Sequence, residues 1–380
     1  MTLSYDITDK QTKKLKELSD IAAEKLAFLS TQSEECKEAM KKYALVSNIG
    51  SSTRIENATL TDTEISWMDE KLRIDDKPTA FLKEKKYIEN KLSQERERSI
   101  EEVAGCRAML NIILDQGKDL LPLSHSTVCG LHRELLQYYP PAHYYLGKYK
   151  TSPNNVIERV MDGGREISRR DVLKTADPGP ITETAMHELI EWYNQTIPDH
   201  LWAISVAVEF VFRFLAIHPF QDGNGRIGRA LFMLAILQSN DRVLKSVIPF
   251  IAVDRHIEKN KREYYLVLRQ CSGGTFSADP KQYDMGHFLN FMLKIAKSAL
   301  NNDLDLYSQK YHVFMDLADA PRKVLTCFKE YPEKKLAMKE LLALTKIPRR
   351  TAVDAVNTLM KNNFLQKYGK GPATKYQLTF

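Results

Sequence analysis

His218, Asp222, Asn224, Arg226 and Arg229 fall inside one twelve-residue stretch, HPFQDGNGRIGR, with glycines at 223, 225 and 228. This mixture of residue types suits an anion. Gly223 and Gly225 can take positive φ, which turns successive backbone N–H groups toward one point. A helix expected to begin near Arg226 adds its positive dipole end there. Arg226 and Arg229, three apart, share a helical face from which forked donors reach phosphate oxygens. Asn224 supplies a neutral donor. Bare phosphate would repel Asp222, so a carboxylate at that position fits Mg²⁺ bridging the phosphates. His218 then stands where an imidazole takes a proton from an attacking hydroxyl. Any one of these residues alone reads as a cap, a turn or a core histidine. Their concentration in twelve positions points to phosphate chemistry.

Competing readings fail on context. Gly223, Gly225 and Gly228 have the GxGxxG spacing of a dinucleotide fingerprint, which must follow a short buried strand. The preceding LWAISVAVEFVFRFLAI is instead apolar at helical spacing. No GxxxxGK(S/T) occurs, which excludes the usual P-loop. His187-Glu188 begins like a zinc helix, but Glu191 stands where the second histidine belongs. Five scattered cysteines without a CxxC pair argue against both a disulfide framework and a zinc site, and fit a reducing cytoplasm. The opening MTLSYDITDK lacks a signal-peptide core, and the most apolar stretch carries Glu209 and Arg213. A cytoplasmic protein with no membrane partner is expected.

The elements that must position these residues are mostly helices. Leu15, Leu18, Ile21, Ala22, Leu26 and Leu29 mark a helix within 8–46. SNIGSSTRIENATLTDTEI reads as a polar, turn-rich stretch with short helical signals, leading to a second helical stretch, Tyr87–Asp115, with another over Thr127–Tyr138. Between Gly147 and Pro180, VIERVM and REI flank Asp162-Gly163-Gly164 as a β-hairpin. Helices resume at Thr182–Asn194, Leu201–Ile217 and Arg226–Gln238. In the last 60 residues APRKVLTCFKEY, LAMKELLALT and RRTAVDAVNTLMKNN form three amphipathic helices. FLQKY and TKYQLTF then read as strands around KGPA, so a winged helix-turn-helix is expected. Residues 321–380 hold 13 Lys and Arg against four acids, a balance of +9. The whole chain of 380 residues carries only +6, so the basic character belongs to the tail.

HPFQDGNGRIGR resembles, position for position, the Fic-family signature His-x-Phe-x-(Asp/Glu)-Gly-Asn-Gly-Arg-x-x-Arg. The resemblance implies transfer of AMP from ATP to a protein hydroxyl, on a helical core spanning about residues 100–300. It casts His218 as general base, Phe220 as the core residue fixing the loop, and Asp222 as the Mg²⁺ ligand. Gly223, Asn224, Gly225 and Arg226 would hold the α- and β-phosphates, and Arg229 would orient the γ-phosphate. The hairpin near 150–170 lies where the family carries its flap, which pairs with an extended target segment. Tyr264 and Tyr265 lie where relatives line the nucleotide pocket.

SSTRIENATLT resembles the family's inhibitory motif (Ser/Thr)-x-x-x-Glu-(Gly/Asn), with Ser52, Glu56 and Asn57 in register. A glutamate delivered to the place of the γ-phosphate would pair with Arg229 and leave ATP only an unproductive pose. Thr53-x-x-Glu56 and Thr61-x-x-Glu64 are equally capping boxes, so both readings stand. The fold class expected is mainly α: a helical Fic core with a hairpin flap, plus the winged helix. Its domains would be 1–98, carrying the inhibitory motif, then 99–302 and 303–380. One function class is an autoinhibited adenylyltransferase using ATP and Mg²⁺, with a target protein along the flap and a homodimer left open. The other is a transcriptional regulator that touches DNA, or a protein, through its basic tail, with the Fic core as a nucleotide sensor.

Overall fold

The computed structural model describes residues 2–72, 79–92, 97–162, 165–329, 335–369 and 371–378. The chain runs through α1 (Asp9–Ser30), α2 (Glu34–Ile55), α3 (Asp62–Leu72), α4 (Thr79–Lys91), α5 (Glu97–Gln116) and α6 (His125–Leu136). An antiparallel hairpin follows, β1 (Asn155–Asp162) and β2 (Arg165–Lys174), with two register shifts; Gly163 and Gly164 of the expected tip lie outside the described residues. Next come α7 (Pro180–Thr196), α8 (Ala203–Ile217), α9 (Asn224–Gln238), α10 (Arg242–Val247), α11 (Val253–Lys259), α12 (Lys261–Ser272) and α13 (Met285–Met315). The tail holds α14 (Asp319–Lys329), β3 (Leu336–Ala337), α15 (Met338–Thr345), α16 (Arg349–Lys361), β4 (Leu365–Tyr368) and β5 (Lys375–Leu378). Among the described residues no helix is long and apolar enough to cross a membrane.

Two compact units emerge, one of Met1–Ala58 with Glu101–Asp305, the other of Thr59–Ile100 with Leu306–Phe380. This division differs from the expected 1–98, 99–302 and 303–380. The first 58 residues have no core of their own. They complete the core of the first unit, because α2 lies against α11 and α9.

At the centre of that unit, α8 and α9 are buried almost all round; only Arg213 and Gly225 escape full burial. A helix apolar on every face belongs in a core. Gly228 permits the close crossing, since a Cβ there would come within 2.9 Å of the Leu215 side chain. Instead of one helix over 8–46, the chain breaks at Thr31–Gln32 and restarts on Ser33, whose hydroxyl accepts the Cys36 N–H. Of the stretch expected to be a link, Ser47–Ile55 is the largely buried C-terminal end of α2, and Asp62 onward already belongs to α3. Gly50, Ser51 and Ser52 are buried in α2, so tertiary contact overrides weak helix propensity. The helix expected over Tyr87–Asp115 is likewise two, α4 and α5.

In the second unit α14, α15 and α16 enclose Val324, Phe328, Leu341, Val356 and Leu359, and Leu365 of β4 joins them. Its sheet runs β3-β5-β4, all antiparallel. The short strand β3 was not expected: Leu336 and Ala337 pair with β5, and the helix starts only at Met338.

Candidate functional site

α8 ends at His218, which adopts a left-handed conformation (φ 55°, ψ 59°) while its N–H bonds the Phe214 carbonyl at 2.9 Å. That conformation is unfavourable for a residue with a Cβ, so the surroundings must hold it. Lys150 does much of this. Its Nζ donates to the Ile217 carbonyl (3.0 Å), Thr175 Oγ1 (2.9 Å) and Asn154 Oδ1 (2.9 Å), and its backbone N–H bonds the Pro219 carbonyl. Asn154 donates to the Phe220 carbonyl at 2.7 Å. Phe220 is fully buried and stacks on His132, centroids 4.0 Å apart. His132 in turn accepts the Gly147 N–H at Nδ1 and faces the Asp222 carbonyl through Nε2.

The ring of His218 is oriented for proton acceptance. Its Nδ1 lies 3.3 Å from the Leu215 carbonyl, an acceptor only, so Nδ1 carries the proton and Nε2 keeps its lone pair. Burial, with the Lys150 ammonium second, pushes the imidazole pKa down to about 4. The ring is therefore neutral throughout the neutral pH range.

Gly223 (φ 82°) makes the turn into α9. Asn224 departs from expectation. Its Oδ1 accepts the Phe220 N–H (2.9 Å) and its Nδ2 donates to the Phe220 carbonyl (2.6 Å), so the side chain clamps the loop and only its backbone belongs to the nest. Arg226 departs too. It does not reach forward beside Arg229 but lies fully buried, 3.4 Å from Asp222 and 3.5 Å from Glu102. Two carboxylates draw it beneath the loop, where it steadies Asp222. Asp222 Oδ1 also accepts the Gly223 N–H at 2.6 Å.

Arg229 is the cation that faces the pocket. Its Nη2 lies 2.9 Å from Glu56 Oε1 and 2.9 Å from the Ser52 carbonyl, and its Nε lies 3.0 Å from Ser52 Oγ. Asp254, buried in α11, approaches to 3.8 Å, and burial raises its carboxyl pKa against the pull of Arg229. Glu56 caps the C-terminus of α2, where the chain enters a Schellman turn. Asn57 takes φ 73°, its N–H bonds the Arg54 carbonyl, and the Ala58 N–H bonds the Thr53 carbonyl. Thr53 bonds back to Ile49 within the helix, so it is no N-cap, whereas Thr61 and Glu64 do form a capping box. The Glu56 carboxylate sits over the start of α9, where a Cβ on Gly225 would stand 2.2 Å from its Oε1.

These groups meet in one pocket of about 130 Å³. Glu56, His218, Asp222 and Arg229 line its polar side, and Val156, Ile157 and Leu268 its apolar side. Tyr264 and Tyr265, both buried, form part of the same wall. Lys150, Asn154, Thr175, His132 and Asp254 escaped the sequence reading. The first four support the loop from segments up to 90 residues away, Asp254 lies against Arg229, and no local spacing marks any of them. Among the described residues no group of three His, Cys, Asp or Glu could cage a metal. A single carboxylate beside an anion nest fits Mg²⁺ held jointly with phosphate oxygens and water, the ion's ordinary mode. His187 stacks on His125 and forms no metal cluster.

The Fic/DOC family model matches residues 122–236, which include the loop and most of α9. A Fido domain-containing protein of Dictyostelium discoideum is 34% identical over 100 residues, covering 23% of this chain and 68% of the relative. The fold resembles a Fic family protein from Desulfovibrio desulfuricans (TM-score 0.55, 19% identity, covering 100% of this chain and 98% of that one). It also resembles a Fic domain containing signaling protein from Bacteroides thetaiotaomicron (TM-score 0.52, 22% identity, 78% and 96% covered). With the histidine loop, the glycine nest and the facing arginine in one pocket, the chain belongs to the Fic/DOC family.

Proposed function

We propose that the protein transfers AMP from ATP to a hydroxyl side chain of a target protein or of itself, and that Glu56 restrains it. The observation that carries this reading is the Glu56 carboxylate, seated over Gly225 and paired with Arg229 beside the neutral His218. An anion already occupies the place a triphosphate would take. Members of the family generally transfer a nucleotide monophosphate to proteins, and a triphosphate donor explains both the nest and Arg229.

In the forward reaction the nest at Gly223–Gly225 and the first turn of α9 hold phosphate oxygens. Arg229, released from Glu56, orients the terminal phosphate. His218 Nε2 takes the proton of the target hydroxyl as its oxygen bonds the α-phosphorus and pyrophosphate leaves from the opposite side. Asp222, steadied by Arg226, is the residue that would hold Mg²⁺. When bound, that ion neutralises charge on the phosphates. Val156 and Ile157 of β1 put the flap at the pocket's rim, where an extended target segment would pair alongside.

The test uses ATP labelled at the α-phosphate with Mg²⁺. Wild type should transfer little label to protein. Glu56→Gly should transfer much more, and His218→Ala in that background should lose roughly 10²–10⁴-fold of the gain. Absence of label from folded, ATP-binding Glu56→Gly protein would overturn the reading. So would label that survives loss of His218.

A further inference from the structure

The second unit offers a surface that the transfer reaction does not use. α16 buries Ala352, Ala355, Val356 and Leu359, the i, i+3, i+4, i+7 stripe of a helix packed on one side. Its opposite face carries Arg349, Arg350, Asn357 and Lys361, all exposed. A three-residue turn, Lys346-Ile347-Pro348, joins α15 to α16, with Lys346 exposed in a left-handed conformation. That is the turn length of a helix-turn-helix. The β4–β5 hairpin adds exposed Lys367 and Lys375, and Lys335 sits 3.8 Å above the Tyr368 ring. Of the acids on described residues in this tail, Glu340 accepts the Ala337 N–H at the start of α15, and Asp354 alone lies on α16.

Charge and geometry choose the partner. From 321 to 380 the chain carries +9 while the preceding 320 residues sum to −3, so the excess of positive charge lies in this region. Val353 and Leu344 are its exposed large apolar side chains among the described residues, too little for an apolar protein-docking patch. Arg350 and Asn357 lie about 10 Å apart along the helix axis, a span of three base-pair steps. Arginine pairs bidentately with guanine and asparagine with adenine in the major groove.

We propose that this region binds duplex DNA, with α16 in the major groove, Arg349, Arg350 and Asn357 toward base edges, and Lys346, Lys367 and Lys375 on phosphates. The inference stands apart from the transfer reaction, because it is measured without ATP.

The experiment uses the full chain, a fluorescein-labelled 30-base-pair duplex of mixed sequence, and fluorescence anisotropy from 50 to 200 mM KCl. Selection from a randomised duplex pool runs in parallel. Binding should weaken with salt with a log–log slope of about −3, as three phosphate contacts require. Lys367→Glu/Lys375→Glu should weaken every sequence on the order of 10- to 100-fold and flatten the slope by about two. Arg350→Ala/Asn357→Ala should keep the slope near its original value and lose the enriched sequence. Circular dichroism confirms that each variant is folded. The proposal is overturned by no anisotropy change at 50 mM KCl. It is equally overturned by binding indifferent to both pairs of substitutions, or by a protein dimer that α16 substitutions dissociate while DNA stays unbound.

Discussion

Lys150 brings a cation into the core beside His218, the proton acceptor of the proposed reaction. Burial pulls its own pKa down to about 8, and three neutral oxygens share its hydrogens. Replacement by Met takes a donor from each of those oxygens, at about 1–3 kcal/mol for any left without another partner. The same change removes the charge that helps depress His218. In the Glu56→Gly background two outcomes follow for Lys150→Met: a kcat at least about 10-fold lower with KM for ATP nearly unchanged, and an acid limb displaced upward in pH. A purely structural lysine would move the first and not the second. Without that substitution, the neutral form of His218, which the proposed reaction uses as base, persists down to about pH 4, since its pKa is lowered. Labelling rates of Glu56→Gly measured from pH 8 to 4 should hold through pH 6.5 and fall only as the pH nears 4. A drop centred at 6.5 would mean that the histidine is not buried as described.

α2 and α11 together determine where Glu56 stands. Asn48 binds both the Ile251 carbonyl and the Asp254 N–H, and Arg54 grips Glu258 with Nε at 2.7 Å and Nη2 at 3.0 Å. Asp303 of α13 holds α11 from below through the Ala252 N–H and His256. The end of α2 is largely polar and small, so its departure would expose little apolar surface. Arg54→Ala or Glu258→Ala should therefore raise basal labelling by about 2- to 5-fold with Glu56 intact, as loss of a half-buried pair worth about 0.5–1 kcal/mol implies. The double variant should gain no more than either single one. Equal, additive gains would show that the pair does not hold the helix.

Across the whole molecule, acid sensitivity is concentrated in the first unit. His132 uses Nδ1 as an acceptor for the Gly147 N–H and is fully buried, and its pKa falls to about 4 against 6.5 for the ordinary residue. The unfolded chain takes that proton first. Stability is thus complete above about pH 6.5 and declines as pH falls toward 4, by about 3 kcal/mol from this residue at full effect. Urea midpoints read by tryptophan fluorescence would check this in a Trp67→Phe variant. Its remaining tryptophans, Trp192 and Trp202, both lie in the first unit. The midpoint should fall between pH 7 and 4.5, and His132→Phe should reduce that fall.

The sequence by itself determined what is local. HPFQDGNGRIGR carries its turn, its nest and its histidine within one stretch, and the apolar runs on either side announce buried helices. The hairpin and the three tail helices were legible for the same reason, since period and turn residues act over a few positions. Tertiary structure decided everything that depends on distant partners. It drew Arg226 back to Glu102 and Asp222, committed the Asn224 amide to Phe220, and turned a polar stretch into the end of α2 by packing it on α11. It also resolved two equivalent Thr-x-x-Glu patterns into a capping box at Thr61 and a carboxylate on Arg229 at Glu56. Burial and charge pairing act through space, and no spacing along the chain encodes which of two like residues will meet its partner.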